Sequence, residues 1–79
     1  MTARVYVTLK KSVLDPQGKA VAQGLARLGF GEVADVRVGK YIELTVDEKD
    51  PERARARVKD MCEKLLANTI IEEYRLDVG

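Results

Sequence analysis

Apolar residues fall at every second position along three stretches of the chain and at helical spacing along two others. Residues 35–46, D-V-R-V-G-K-Y-I-E-L-T-V, place Val36, Val38, Ile42, Leu44 and Val46 in alternation on either side of Gly39-Lys40. That period sends side chains to one face of a strand, and it predicts a β-hairpin whose two-residue turn takes its positive φ from Gly39. Residues 3–10 predict a first strand, with Val5, Val7 and Leu9 on one face and Arg4, Tyr6, Thr8 and Lys10 on the other. Residues 70–78 predict a last one, in which Tyr74, Leu76 and Val78 alternate with Glu73, Arg75 and Asp77.

Two Asp-Pro pairs mark helix starts, because the carboxylate caps free N–H groups and proline at the first helical position loses no hydrogen bond. After Asp15-Pro16, the residues Ala20, Val21, Gly24, Leu25 and Leu28 form an apolar stripe that should end at Gly29 in a left-handed cap. Gly24 on that stripe suggests close approach to a sheet. After Asp50-Pro51, residues 51–67 carry Ala54, Val58, Met61, Cys62, Leu65 and Leu66 at helical spacing. The order is β-α-β-β-α-β, an α+β chain read as a single domain over residues 1–79. Right-handed crossovers predict a ferredoxin-like four-stranded antiparallel sheet, first and third strands central, with both helices on one face.

Composition changes this picture in two ways. A chain of 79 residues can build only a small core, and its single cysteine excludes an internal disulfide, so oligomerisation is the expected stabilising device. The net charge of +1 gives no general attraction to nucleic acid or anionic membranes. The alternating start M-T-A-R-V-Y-V-T-L is unlike a signal peptide and no apolar run approaches a membrane span, so a cytoplasmic location is expected.

Candidate chemistry is thin. Cys62 has no histidine to activate it and sits on an apolar stripe, as a small core residue does. Asp47, Glu48, Asp50 and Glu52 lack calcium-loop spacing and read as a solvated loop with a helix cap. Arg53, Arg55 and Arg57 spread around a helix rather than forming a phosphate site. Tyr6 and Tyr41 fall near the base-stacking positions of an RNA-recognition sheet, but V-G-K-Y-I-E-L lacks the aromatic-rich motif and Glu43 shares their face. The residues alone describe a small binding or assembly module. A small-molecule-binding regulatory module and, more remotely, an RNA binder are the other classes.

The segments V-Y-V-T-L, V-L-D-P-Q-G-K-A-V, D-V-R-V-G-K-Y-I-E-L and M-C-E-K-L-L-A-N together resemble the PurS family, the small subunit of phosphoribosylformylglycinamidine (FGAM) synthase. One departure is Thr69 after Asn68, where the family tends to have proline. The resemblance implies a non-catalytic subunit of a purine-biosynthesis complex that converts formylglycinamide ribonucleotide (FGAR) to its amidine. It implies that PurQ releases ammonia from glutamine, that PurL holds ATP and Mg, and that this chain, as a homodimer or homotetramer, joins the two. No residue here is then catalytic, cofactor-binding or metal-binding. Candidate subunit contacts are Leu14, Asp15, Pro16 and Gln17 at the family-like helix start, and Arg37, Lys40 and Tyr41 near the expected turn.

Overall fold

The alternation at the start of the chain becomes strand β1, Thr2–Leu9, which buries Ala3, Val5 and Val7 and turns Arg4, Tyr6 and Thr8 the other way. In the computed structural model, which describes residues 1–79, β1 is the central strand of a three-stranded antiparallel sheet. It lies between β2, Gly39–Thr45, and β3, Glu72–Val78. Val5 stands opposite Ile42 on one side and Leu76 on the other, and Tyr6 opposite Tyr41 and Arg75. The register therefore puts the apolar set on one face and the polar and aromatic set on the reverse.

The expected hairpin and its four-stranded sheet are not formed. Gly39 opens β2 opposite Thr8, and Gly29 is the one residue with positive φ, so Gly39-Lys40 is not a turn. Gly39 answers a different constraint. A Cβ there would run into the Val7 carbonyl oxygen and come within 2.7 Å of Thr8 Cγ2. Glycine permits the close approach of β1, a role that a strand glycine and a turn glycine share in sequence. Residues 33–38 lead into β2 without joining the sheet, so the strand expected there is missing and the stretch expected as the central third strand is an edge.

Helix α1, Pro16–Arg27, starts at Asp15 and stops as its sequence predicts. Gly29 adopts φ 97°, its N–H donates to Ala26, and the Phe30 N–H donates to Leu25, which satisfies the last carbonyls. The helix is not laid on the sheet; helix-on-sheet packing comes from the second helix. Val21 stays 44% exposed and Leu28 75%. A Cβ on Gly24 would meet nothing within 4 Å, so the expected close approach is absent. The result is elongated, 48 × 24 × 14 Å, with a radius of gyration of 15.8 Å, against about 12 Å for a compact chain of this length.

Helix α2, Pro51–Met61, is capped by the Asp50 carboxylate, which accepts from the Glu52 N–H at 3.1 Å. Ala54, Val58 and Cys62 recur at intervals of four and are fully buried in the protein's interior, Val58 and Cys62 with Ala3, Val5, Val7 and Leu76. The helix then widens into a π-helical turn, Cys62–Leu66, closed by the Ala67 N–H donating to the Cys62 carbonyl at 3.0 Å. A turn closed five residues on holds more residues than an α turn. The inward position thus falls on Leu66, and Leu65, expected on the apolar stripe, is 83% exposed. Only 9 residues are buried, and the chain exposes 5906 Å², against about 4800 Å² for a compact monomer of this mass. No helix is long and apolar enough to cross a membrane.

The two glycines should separate by substitution. Gly39→Ala is expected to cost about 1–3 kcal/mol in urea unfolding, as overpacking does, and Gly24→Ala to stabilise by up to about 1 kcal/mol. Equal effects would contradict these assignments.

Candidate functional site

The Asp15 carboxylate joins two distant pieces of chain. Its Oδ1 accepts from the Gly18 N–H at 3.0 Å, capping α1, and its Oδ2 accepts from the Val38 N–H at 2.9 Å, one residue before β2. Gly18 is buried beneath this junction, where a Cβ would strike the Val36 carbonyl oxygen and the Asp15 carboxylate. The Gly18 bond, then the Val38 bond, holds the Asp15 carboxyl below the usual carboxylate range, against a smaller opposing effect of desolvation. Around this junction Asp15, Gln17 and Lys40 come together with Val38, Gly39 and Glu72 in a shallow depression of about 280 Å3. Pro16 is exposed beside it, and Leu14 projects from the preceding loop, 73% exposed.

Arg37 belongs to the reverse face of the sheet. Its guanidinium crosses the end of β1, donating to Thr8 Oγ1 at 3.3 Å and pairing with Glu73 on β3 at 3.1 Å. Tyr41 is on the same face, its ring centroid 5.2 Å from that of Tyr6. Arg75 lies 4.4 Å from the Tyr6 centroid, and the Tyr6 hydroxyl donates to Asp77 at 3.4 Å. Arg4 approaches Asp77 at 3.9 Å. These cross-strand pairs hold the face in one arrangement. Partial desolvation, then the charge of Glu43, raises the Tyr41 phenol above its ordinary value. The seven predicted contact residues thus form two groups, Asp15, Gln17 and Lys40 at the helix start and Arg37 and Tyr41 on the reverse face, with Leu14 and Pro16 flanking the first.

The other candidates resolve into structure. Burial pushes the Cys62 thiol up, away from a reactive thiolate. Glu48 and Asp50 accept from backbone N–H groups, and no group of three or more Cys, Asp or Glu side chains is placed to hold a metal ion. Two connections escaped the sequence pattern. One is the Asp15 to Val38 bond, for which the buried Gly18 three residues on is the available signal. The other is the Tyr74 hydroxyl, which donates to Glu63 on the π turn at 2.5 Å and is pushed up to about 12. The widened turn gives no sequence signal of its own.

What these residues assemble is a small α+β module with an unpacked helix, two sheet edges and an ordered polar face. The profile of the family PurS, phosphoribosylformylglycinamidine (FGAM) synthase, matches residues 2–79. The chain is 57% identical to the PurS subunit of FGAM synthase from Bacillus subtilis (strain 168), over 95% of this chain and 88% of that one. It is 52% identical to the Synechocystis PurS subunit over 95% and 75% of the two chains. Its fold superposes on B. subtilis PurS with a TM-score of 0.85 at 55% identity, covering 99% and 96% of the chains. It superposes on a chain of the PurLQS structure from Thermotoga maritima with a TM-score of 0.88 at 33% identity, covering 96% and 93%. The chain belongs to the PurS family of FGAM synthase subunits.

Asp15 sets a pH dependence. A carboxylate with a depressed folded value contributes stability above its unfolded value of about 3.9 and gives it up as pH falls through the folded value. Asp15→Asn keeps an acceptor for Gly18 but turns an amide toward Val38. It should lower the thermal midpoint at neutral pH and flatten the midpoint's dependence below about pH 4. A variant as acid-sensitive as the parent would contradict the assignment.

Proposed function

We propose that this chain is the non-catalytic brace of FGAM synthase, acting as a homodimer in the cytoplasm to hold the PurL synthetase against the PurQ glutaminase. The observation that carries this reading is the likeness over nearly its whole length to a chain of PurLQS, joined to a fold whose apolar surface is unfinished. PurL, with its ATP and Mg, activates the glycinamide carbonyl oxygen of FGAR, and ammonia released by PurQ displaces that oxygen as phosphate to leave the amidine. Ammonia set free in water is diluted and protonated, so a fixed alignment of the two sites raises its effective concentration where it reacts. The helix-start group around Asp15, Gln17 and Lys40 and the reverse-face group around Arg37 and Tyr41 are the contact surfaces, with Leu14 and Pro16 at the margin of the first.

Dimer formation is supported by two unmatched surfaces in one chain. The stripe on α1 includes Val21 and Leu28 without a covering element, and Ile42 and Leu44 on β2 are only half buried. Light scattering should give the dimer mass, and Leu28→Asp with Val21→Asp should shift it to the monomer; a monomeric parent would count against the homodimer.

The bridging role is tested by reconstituting cognate PurL and PurQ with and without this chain. Omission should reduce glutamine-driven FGAM synthesis by at least about tenfold while ammonium-driven synthesis persists, a loss that corresponds to about 1.4 kcal/mol or more. Unchanged glutamine-driven turnover would exclude the role.

A further inference from the structure

Between α1 and the unpaired stretch before β2 runs an open groove of about 620 Å3. Val13, Ala22 and Val36 contribute apolar lining, and Lys10, Lys11, Lys19 and Arg37 stand against Asp15 and Asp35 along its walls. Four basic residues against two acidic ones make this groove more positive than the whole chain, whose formal charge is +1. Its acids are moreover unequal. Both Asp15 oxygens are taken by backbone N–H groups, which leaves Asp35 as the free carboxylate. Arg37 is engaged by Glu73 and Thr8, whereas Lys10, Lys11 and Lys19 form no ion pair within the chain. The unmatched charge is therefore three lysines against one carboxylate, a net excess of positive charge. One wall has a further property: none of the N–H groups of Ala34, Asp35, Val36 and Arg37 donates a hydrogen bond within the chain. A stretch of chain whose N–H groups are unpaired can donate to the backbone of another chain.

We propose that this groove docks an extended acidic segment of PurL or PurQ, its apolar side chains entering the groove and its carboxylates meeting Lys10, Lys11 and Lys19. The combination of apolar lining, unpaired backbone donors in the adjoining chain and a basic rim suits a peptide rather than a compact anion. Complementary charge also speeds the encounter between the subunits and makes it salt-dependent. The inference rests on the bridging role and adds to it a location and a chemistry.

The test measures affinity of the chain for purified cognate PurL and PurQ by fluorescence anisotropy at low and high salt. Lys10→Glu, Lys11→Glu and Lys19→Glu together should weaken binding at least about tenfold at low salt, with a smaller effect at high salt. Ala22→Trp, which fills the groove without changing charge, should weaken binding at both. Arg57→Glu with Lys59→Glu on α2 reverses two exposed charges elsewhere and should stay within about twofold. Circular-dichroism melts identify any variant whose fold has changed. Unaltered affinity of a folded triple variant would overturn the proposal, as would an equal loss in the α2 control. Loss of self-association in the triple variant, seen by light scattering, would assign the groove to a second copy and also overturn it. Failure of the parent chain to bind either subunit would instead remove the bridging reading itself.

Discussion

The two hydrogen bonds accepted by Asp15 are the constraint on which the long half of the molecule depends. One starts α1 and the other holds the chain on its way into β2, so a single carboxylate closes a loop of more than twenty residues. Without that closure the arm would be joined to the sheet by its two chain connections and little else, since α1 has no substantial packing against the sheet. An N-cap ordinarily serves its own helix. Here its second oxygen sets where the helix stands relative to the sheet, and Gly18 is the residue small enough to let the three strands of chain converge.

The sheet half is held differently, by burial on one face and charge pairing on the other. Val5 packs within the apolar cluster that includes Val58, Cys62 and Leu76, while the residues beside it in sequence, Arg4 and Tyr6, join Arg75 and Asp77 on the reverse. Alternation along β1 thus determines both the core and the outward polar face. The exposed pairs on the polar face contribute little stability singly. Their consequence is geometric, because they hold Tyr41 and Arg37 in a fixed arrangement on that face.

Most of the elements were legible because their signals are local. Asp15-Pro16, Gly29, Asp50-Pro51 and the alternation in β1 and β3 each define an end or a face within a few residues. The hairpin at Gly39 was misread because a glycine between two alternating runs has the same appearance whether it turns the chain or admits a neighbouring strand. What separates the two is the position of the Val7 carbonyl, which is a property of the folded sheet. Leu65 was misread for a related reason: a helix that widens at Cys62 changes its period without changing the kind of residue that carries it. Of the candidate contact residues, Asp15 could be recognised as a cap, but its bond to Val38 spans twenty-three positions and follows from the tertiary fold.

Cys62 gives the molecule an internal reporter. It is the sole thiol, it is wholly buried, and it lies where α2 passes into the π turn against the sheet. A reagent that modifies thiols can reach it only when that end of the helix lifts, so its modification rate counts openings of the sheet half and is blind to motions of the α1 arm. The two halves, joined in one short chain, can therefore be followed separately: the core by the exposure of one sulfur atom, and the arm by the protonation of one carboxylate.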